Sequence, residues 1–132
     1  MKLWQKNTAS LKEVEKFTIG NDRDFDVLLA PFDVLGNMAH AKMLATVGLL
    51  TNNEADQLTT ELKTIYKNIH HSPFTIHDNV EDIHSQIEFL LTEKLGDIGK
   101  KIHSARSRND QVLVDLKLYL RNEIETLKLT AN

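Results

Sequence analysis

The residues best suited to chemistry lie in one run, Lys100-Lys101-Ile102-His103-Ser104-Ala105-Arg106-Ser107-Arg108-Asn109-Asp110, which sets several cations directly before a predicted helix. A helix start carries about half a positive charge, so a nearby Arg is disfavoured by roughly 0.3–1 kcal/mol and a nearby Asp is favoured. Asp110 follows this rule, whereas Arg106 and Arg108 break it. Two arrangements remove the conflict. A bound anion would be met by backbone N–H groups, the Ser104 or Ser107 hydroxyl, the Asn109 amide and a guanidinium fork, a set suited to a small dicarboxylate. Alternatively, acidic side chains on neighbouring helices pair with the arginines. Spacing alone does not choose between them.

A second polar cluster, Asn79-Val80-Glu81-Asp82-Ile83-His84-Ser85, opens another predicted helix. Glu81 and Asp82 suit a first helical turn, where negative charge is favoured, so capping accounts for both. His84 beside Ile83 could donate to a carboxylate or carbonyl, although a lone histidine is more often a surface or satisfied one. His70, His71, His77 and His84 raise the question of a metal. The chain has no cysteine, the first three fall in a loop, and no pair has the compact His-x-x-x-His spacing with a third ligand that zinc requires, so no metal site is expected. A glycine-rich phosphate cradle and a nucleophile elbow are also absent.

These residues must be positioned by a scaffold, and the periodicity predicts an all-α one. Residues 1–21 lack a clean period and read as an arm, with Leu11, Val14 and Phe17 on one side of a possible short helix. From Asp24 to about Val47, Val27, Leu28, Leu35, Met38, Met43 and Leu44 suit helix spacing, with Pro31 dividing a short first piece from a longer second one and Gly48 as the stop. Thr51 to Glu54 reads as a capping box, and Ala55, Leu58, Leu62, Ile65, Tyr66 and Ile69 then form one apolar stripe to about Asn68. After a loop at 70–79, Ile83, Ile87, Leu90, Leu91 and Leu95 predict a helix from about Asn79 to Gly96. Residues 97–108 carry no period and read as a second loop. From Asn109 or Asp110 onward, Val112, Leu116, Tyr119, Leu120, Ile124 and Leu127 keep helical spacing, and Leu113, Val114 and Leu118 widen that face beyond the usual stripe. Such a helix calls for several packing partners.

The 132 residues, 41% of them hydrophobic, suffice for one compact core. A formal charge of −3 argues against nucleic acid or an anionic membrane as partner, since either calls for a basic surface. The absence of cysteine fits a reducing compartment, and the start MKLWQKNTAS has no signal-peptide apolar region, so a cytoplasmic protein is expected.

The run Ser104-Ala105-Arg106-Ser107-Arg108-Asn109-Asp110-Gln111-Val112 resembles the S/T-x-R-S-R-N-D-Q-V signature of argininosuccinate lyases, within the aspartase and fumarase superfamily. Fumarases read closer to S-S-N-D there. Further similarities are Lys2-Leu3-Trp4, Asp33-Val34-Leu35-Gly36 with Met38-Ala39-His40-Ala41, Val47-Gly48-Leu49-Leu50-Thr51, and Glu81-Asp82-Ile83-His84-Ser85, which together span nearly the whole chain.

The resemblance implies reversible elimination of argininosuccinate to arginine and fumarate, without cofactor or metal, in a homotetramer. It implies an amino-terminal helical domain over 1–105 and the start of the first central-bundle helix over 106–132. Carried over by position, Asn109, Arg108 and Ser107 would contact or orient the succinyl carboxylates, with Arg106 and Ser104 beside them. His84 and Asp82 match the family's Asp-x-His segment, and Asp22 and Arg23 resemble an acid and base that follow a serine in its first site loop. Two departures stand out: Thr18 or Gly20 occupies about the place of that serine, and Gln5-Lys6 replaces a Gly-Gly pair. The family's proton-transfer residues are expected downstream of Asn132, so no catalytic residue is assigned within the chain. A non-enzymatic helical module of this ancestry and an adenylosuccinate-type lyase are the alternatives.

Overall fold

The computed structural model describes Phe17 and residues 21–131. The expectations placed on Trp4, Gln5-Lys6, Leu11, Val14, Thr18 and Gly20 lie outside the described residues. Among those described, every regular element is helical: α1 (Asp22–Asp26), a 3₁₀ turn (Val27–Leu29), α2 (Ala30–Thr46), α3 (Asn52–His71), α4 (Ile83–Leu95), α5 (Asp97–Lys100), a second 3₁₀ turn (Lys101–His103) and α6 (Arg108–Ala131).

The break before α2 falls at 27–29, with Pro31 inside the first turn of α2, where its missing N–H costs nothing. Gly48, at φ +80°, follows the end of α2 in a left-handed conformation that glycine adopts without a Cβ penalty. The α3 start is built as expected: the Thr51 hydroxyl accepts from Glu54 N–H at 3.2 Å, and the Glu54 carboxylate accepts from Thr51 N–H at 2.9 Å. That helix continues to His71, three residues past the expected end.

Two boundaries differ from the sequence expectation. Helix α4 starts at Ile83, not near Asn79, because Asp82 adopts an extended backbone and its side chain accepts from Ser85 N–H at 2.7 Å. An acid expected inside the first turn is therefore the cap. The stretch read as a loop from 97 to 108 is helical over 97–103, and α6 begins at Arg108. Short turns of this kind carry too few apolar residues for a period to show.

The core forms where α2, α3 and α4 meet. Val34, Ala41 and Leu44 face Leu58, Leu62 and Ile65, and Ile83, Ile87 and Leu91 close the third side, with Leu50 and Ile102 completing the set. Helix α5 folds back on α4 through Gly99, where a Cβ would come within 2.5 Å of the Leu91 carbonyl carbon and oxygen and of Thr92 N. Helix α6 lies against α2 differently. Its fully buried residues are Gln111 and Asp115, while Leu113, Val114, Leu116, Leu120, Ile124, Leu127 and Leu129 are exposed. The edge-to-face contact of Tyr119 with Phe32, centroids 5.9 Å apart, is the main aromatic link between the two helices. No helix among the described residues is long and apolar enough to cross a membrane.

The backbone contact at Gly99 gives a direct test of the fold. Gly99→Ala forces α5 away from α4 and should lower stability by about 1–3 kcal/mol, as overpacking does. Urea unfolding monitored by circular dichroism measures it, and an unchanged midpoint would contradict the close approach.

Candidate functional site

The two polar segments singled out in the sequence meet at the start of α6. Arg108 Nη2 donates to the Ser85 hydroxyl at 3.0 Å, and Arg108 Nε lies 3.5 Å from Asp82 Oδ2. Arg106 Nη2 donates to the Asn37 amide oxygen in α2. Both arginines thus find polar or acidic partners on neighbouring helices, which offsets the charge conflict at the helix start. Ser107 caps α6: Asp110 Oδ2 accepts from Ser107 N–H at 2.8 Å and from its hydroxyl at 3.1 Å, while Asp110 N–H reaches the same hydroxyl at 3.4 Å. This reciprocal arrangement holds the Asp110 carboxyl below the usual carboxylate range, chiefly through the Ser107 backbone N–H.

Beside these groups, Asn109 is exposed and its amide has no partner among the described residues. Ser104 is also exposed; its carbonyl accepts from His40 Nε2 at 2.7 Å. Ala105 follows at φ +57°, a left-handed conformation uncommon outside glycine. Burial lowers the His40 pKa from its ordinary 6.5 against the opposing effect of the Ser104 carbonyl.

Behind the arginines lies a buried polar centre. His84 is 4% exposed, and Asp33 and Asp115 are each 1% exposed. His84 Nδ1 donates to Asp33 Oδ1 at 2.8 Å and lies 3.5 Å from Asp115 Oδ2. The second Asp33 oxygen accepts from Asn37 Nδ2 at 2.9 Å. Asp26, in α1, accepts from Ile83 N–H at 3.3 Å and so adds a second carboxylate at the α4 start. Burial raises its pKa, and nearby Asp82 and Asp22 add to the rise. A cavity of about 410 Å³ opens next to this centre between α2 and α6, with Asp33, Gly36, His40, Arg106, Gln111 and Asp115 among its walls.

Of the predicted residues, Asp82, His84, Ser104, Arg106, Ser107, Arg108 and Asn109 fall in or beside this assembly. Asp22 approaches it only through Asp26. Arg23 points elsewhere: its Nη2 donates to the Asp78 carbonyl at 3.0 Å, and it lines a separate hollow with Phe74 and Ile76. Donor atoms of Asp33, His84 and Asp115 lie within 4.8 Å of one another, a spacing that could hold a divalent cation. The Arg106 guanidinium brings one positive charge to the same group. His70, His71 and His77 join no such group among the described residues.

The family model described as Lyase matches residues 2–131. The chain belongs to the lyase family. Among curated relatives, an argininosuccinate lyase of Bacteroides thetaiotaomicron is 56% identical over 126 residues, covering 96% of this chain and 28% of the relative. One of Bacteroides fragilis is 57% identical over 123 residues, covering 93% and 28%. One of Thermotoga neapolitana is 42% identical over 127 residues, covering 96% and 32%. The chain therefore spans about three-tenths of the length of these lyases.

Asp33, Asn37, His40 and Asp115 also belong to the candidate site, although the sequence pattern does not single them out. A signal was present for two of them: Asp33 stands between Phe32 and Val34, and Asp115 interrupts Val112-Leu113-Val114 and Leu116, so each is a lone acid in an apolar run. Such an acid is either exposed or held in a buried network, and here both are buried.

Asp115 has the most perturbed protonation. Burial, the Asp33 charge and a hydrogen bond shared with Asp33 push its pKa up to about 9, against the opposing pull of Arg106. The folded state thus binds a proton that the unfolded chain releases near 3.8, so stability is fullest below 3.8 and falls as pH rises towards 9. The charged groups facing it are Asp33 from α2, His84 from α4, Arg106 before α6 and, more weakly, Asp26. Asp115→Asn, a neutral isostere, should flatten this slope and raise the melting temperature most at alkaline pH. Melting curves taken across the pH range measure it, and an unchanged slope would contradict a buried acid at this position.

Proposed function

We propose that the chain is the amino-terminal part of an argininosuccinate lyase, which cleaves argininosuccinate reversibly to arginine and fumarate. The observation that carries the proposal is the Arg108 bridge. It ties together, through Ser85 and Asp82, the two segments in which this chain resembles the lyases at their substrate-binding positions. The names and 56–57% identity of the relatives support the same reading.

In this reaction a base removes a proton beside a succinyl carboxylate. The resulting aci-carboxylate carries an additional negative charge, and an acid protonates the departing guanidinium nitrogen as the carbon–nitrogen bond breaks. Stabilising that charge requires fixed donors and cations. Asn109, Ser107 and Arg108 are proposed as carboxylate ligands, with Arg106, Ser104, His84 and Asp82 around them and Asp22 and Arg23, which open α1, in a first site segment. His84 donates Nδ1–H to Asp33, so any donation from the imidazole to substrate must use Nε2 and requires the charged form.

Residues 1–105 are proposed as the amino-terminal domain and 106–132 as the start of a central-bundle helix, with the proton-transfer groups on the rest of the enzyme. The exposed apolar face of α6 supports burial against other bundle helices; the proposed assembly is a cytoplasmic homotetramer.

In the full-length enzyme, Arg108→Ala and Asn109→Ala should each lower kcat/KM for argininosuccinate by about 100-fold, the usual effect of losing one fixed donor to a developing anion. Fumarate absorbance follows the reaction. Full activity in both variants would overturn the site assignment, and preferential cleavage of adenylosuccinate would redirect the substrate.

A further inference from the structure

Most of the polar groups around the Arg106 and Arg108 cluster are explained by capping or by ion pairs at its rim. The buried centre behind it is not. Two carboxyls, each 1% exposed, share a space with one imidazole, and with the His84 Nδ1 proton directed to Asp33, Asp115 Oδ2 has no hydrogen-bond partner among the described residues. A carboxylate oxygen buried without a donor is costly, whereas a carboxylic acid at the same position can itself donate to the neighbouring carboxylate.

Asp33 is the natural acceptor. One of its oxygens takes the His84 Nδ1 proton at 2.8 Å, and the other takes an Asn37 amide proton at 2.9 Å. Donating through Nδ2 fixes the orientation of the Asn37 amide, so its oxygen faces Arg106 Nη2. One carboxylate in α2 is thereby connected to a side chain of α4 and, through the amide, to the guanidinium that precedes α6.

We infer that Asp33 and Asp115 work as a carboxylate and carboxylic acid pair that positions the substrate-binding side chains. Asp33 aims His84 directly and Arg106 through Asn37, while neutral Asp115 steadies Asp33. The inference rests on the proposed lyase site and adds a positioning role for two residues that do not themselves contact substrate. With the Nδ1 proton committed to Asp33, His84 presents Nε2 alone to a ligand. With Asn37 oriented, Arg106 is held beside Arg108. Losing the acid at Asp115 would leave Asp33 one donor short and free the centre to rearrange, displacing both groups from the dicarboxylate they serve.

Product inhibition of the full-length enzyme separates this role from a general loss of structure, because fumarate carries both succinyl-derived carboxylates, whereas arginine carries only its own α-carboxylate. Asp115→Leu removes the donor and should weaken fumarate inhibition by about tenfold while leaving arginine inhibition within about threefold of wild type. Asp115→Asn retains an N–H donor and should restore fumarate inhibition to within about threefold. An Asn variant as impaired as the Leu variant would overturn the neutral-acid role, and so would a Leu variant with unchanged fumarate inhibition. If Asp115→Leu does not fold, the Asn variant alone decides, by the same thresholds. Arg108→Ala in the same assay keeps the two proposals apart. Weakened fumarate inhibition there with none at Asp115 overturns only the positioning pair, whereas no effect at Arg108 removes the lyase site on which it rests.

Discussion

Three helices of this lyase segment converge on one short polar contact, the 2.8 Å hydrogen bond from His84 Nδ1 to Asp33 Oδ1. Apolar packing already binds α2 to α3 and α4, but it is non-directional and tolerates small shifts and rotations. The hydrogen bond does not. It requires His84 at the first turn of α4 to face the inner side of α2 at one height, and Asp115 brings α6 to the same point. Removing either partner would strand a buried polar group, at a cost of about 1–3 kcal/mol or more when charged. The contact therefore restricts alternative registers of the three helices more than it adds to net stability.

That restriction bears on the helix starts, where the proposed substrate ligands lie. Asp82 caps α4, Ser107 caps α6, and the residues that follow each cap are those resembling lyase substrate ligands. A cap fixes the backbone where a helix begins, and the hydrogen bond behind it fixes α4 against α2, to which Arg106 ahead of α6 is tied through Asn37. Arg108 then spans the gap, with Ser85 and Asp82 as its partners. The paired arginines, which look electrostatically misplaced in the sequence, are located by acidic and amide groups that only the fold brings near.

Local signals make much of this legible in the sequence. The Thr51–Glu54 capping box and the stripe Ala55, Leu58, Leu62 and Ile65 depend on neighbours along the chain, and both appear as expected. The start of α4 is harder to place because Asp82 can act either as a cap or as a first-turn acid, and only the Ser85 N–H decides between them. The centre itself is hidden because Asp33, His84 and Asp115 come from three separate helices, and periodicity along one helix carries no information about another. Helix α6 shows the same limit: its wide apolar face is plain in the sequence, but the face turned towards α2 carries Gln111 and Asp115. Asp115 there lies 3.5 Å from His84 Nδ1 on α4, while Gln111 Oε1 is buried with no hydrogen-bond partner among the described residues.

Ala105 carries a consequence for the way this loop can change shape. An L-residue at φ +57° sits about 1–2 kcal/mol above the ordinary helical or extended conformations. It is kept there by an anchor on each side, the His40 bond to the Ser104 carbonyl and the Arg106 bond to Asn37. If either anchor lets go, the residue relaxes across a steric barrier into a different basin, without stopping at intermediate angles. The turn therefore behaves as a sprung catch with discrete settings. Arg106 and the residues after it are either seated as described or displaced as a unit, so disturbances of the loop would act on the number of competent molecules and leave the geometry of each competent one intact.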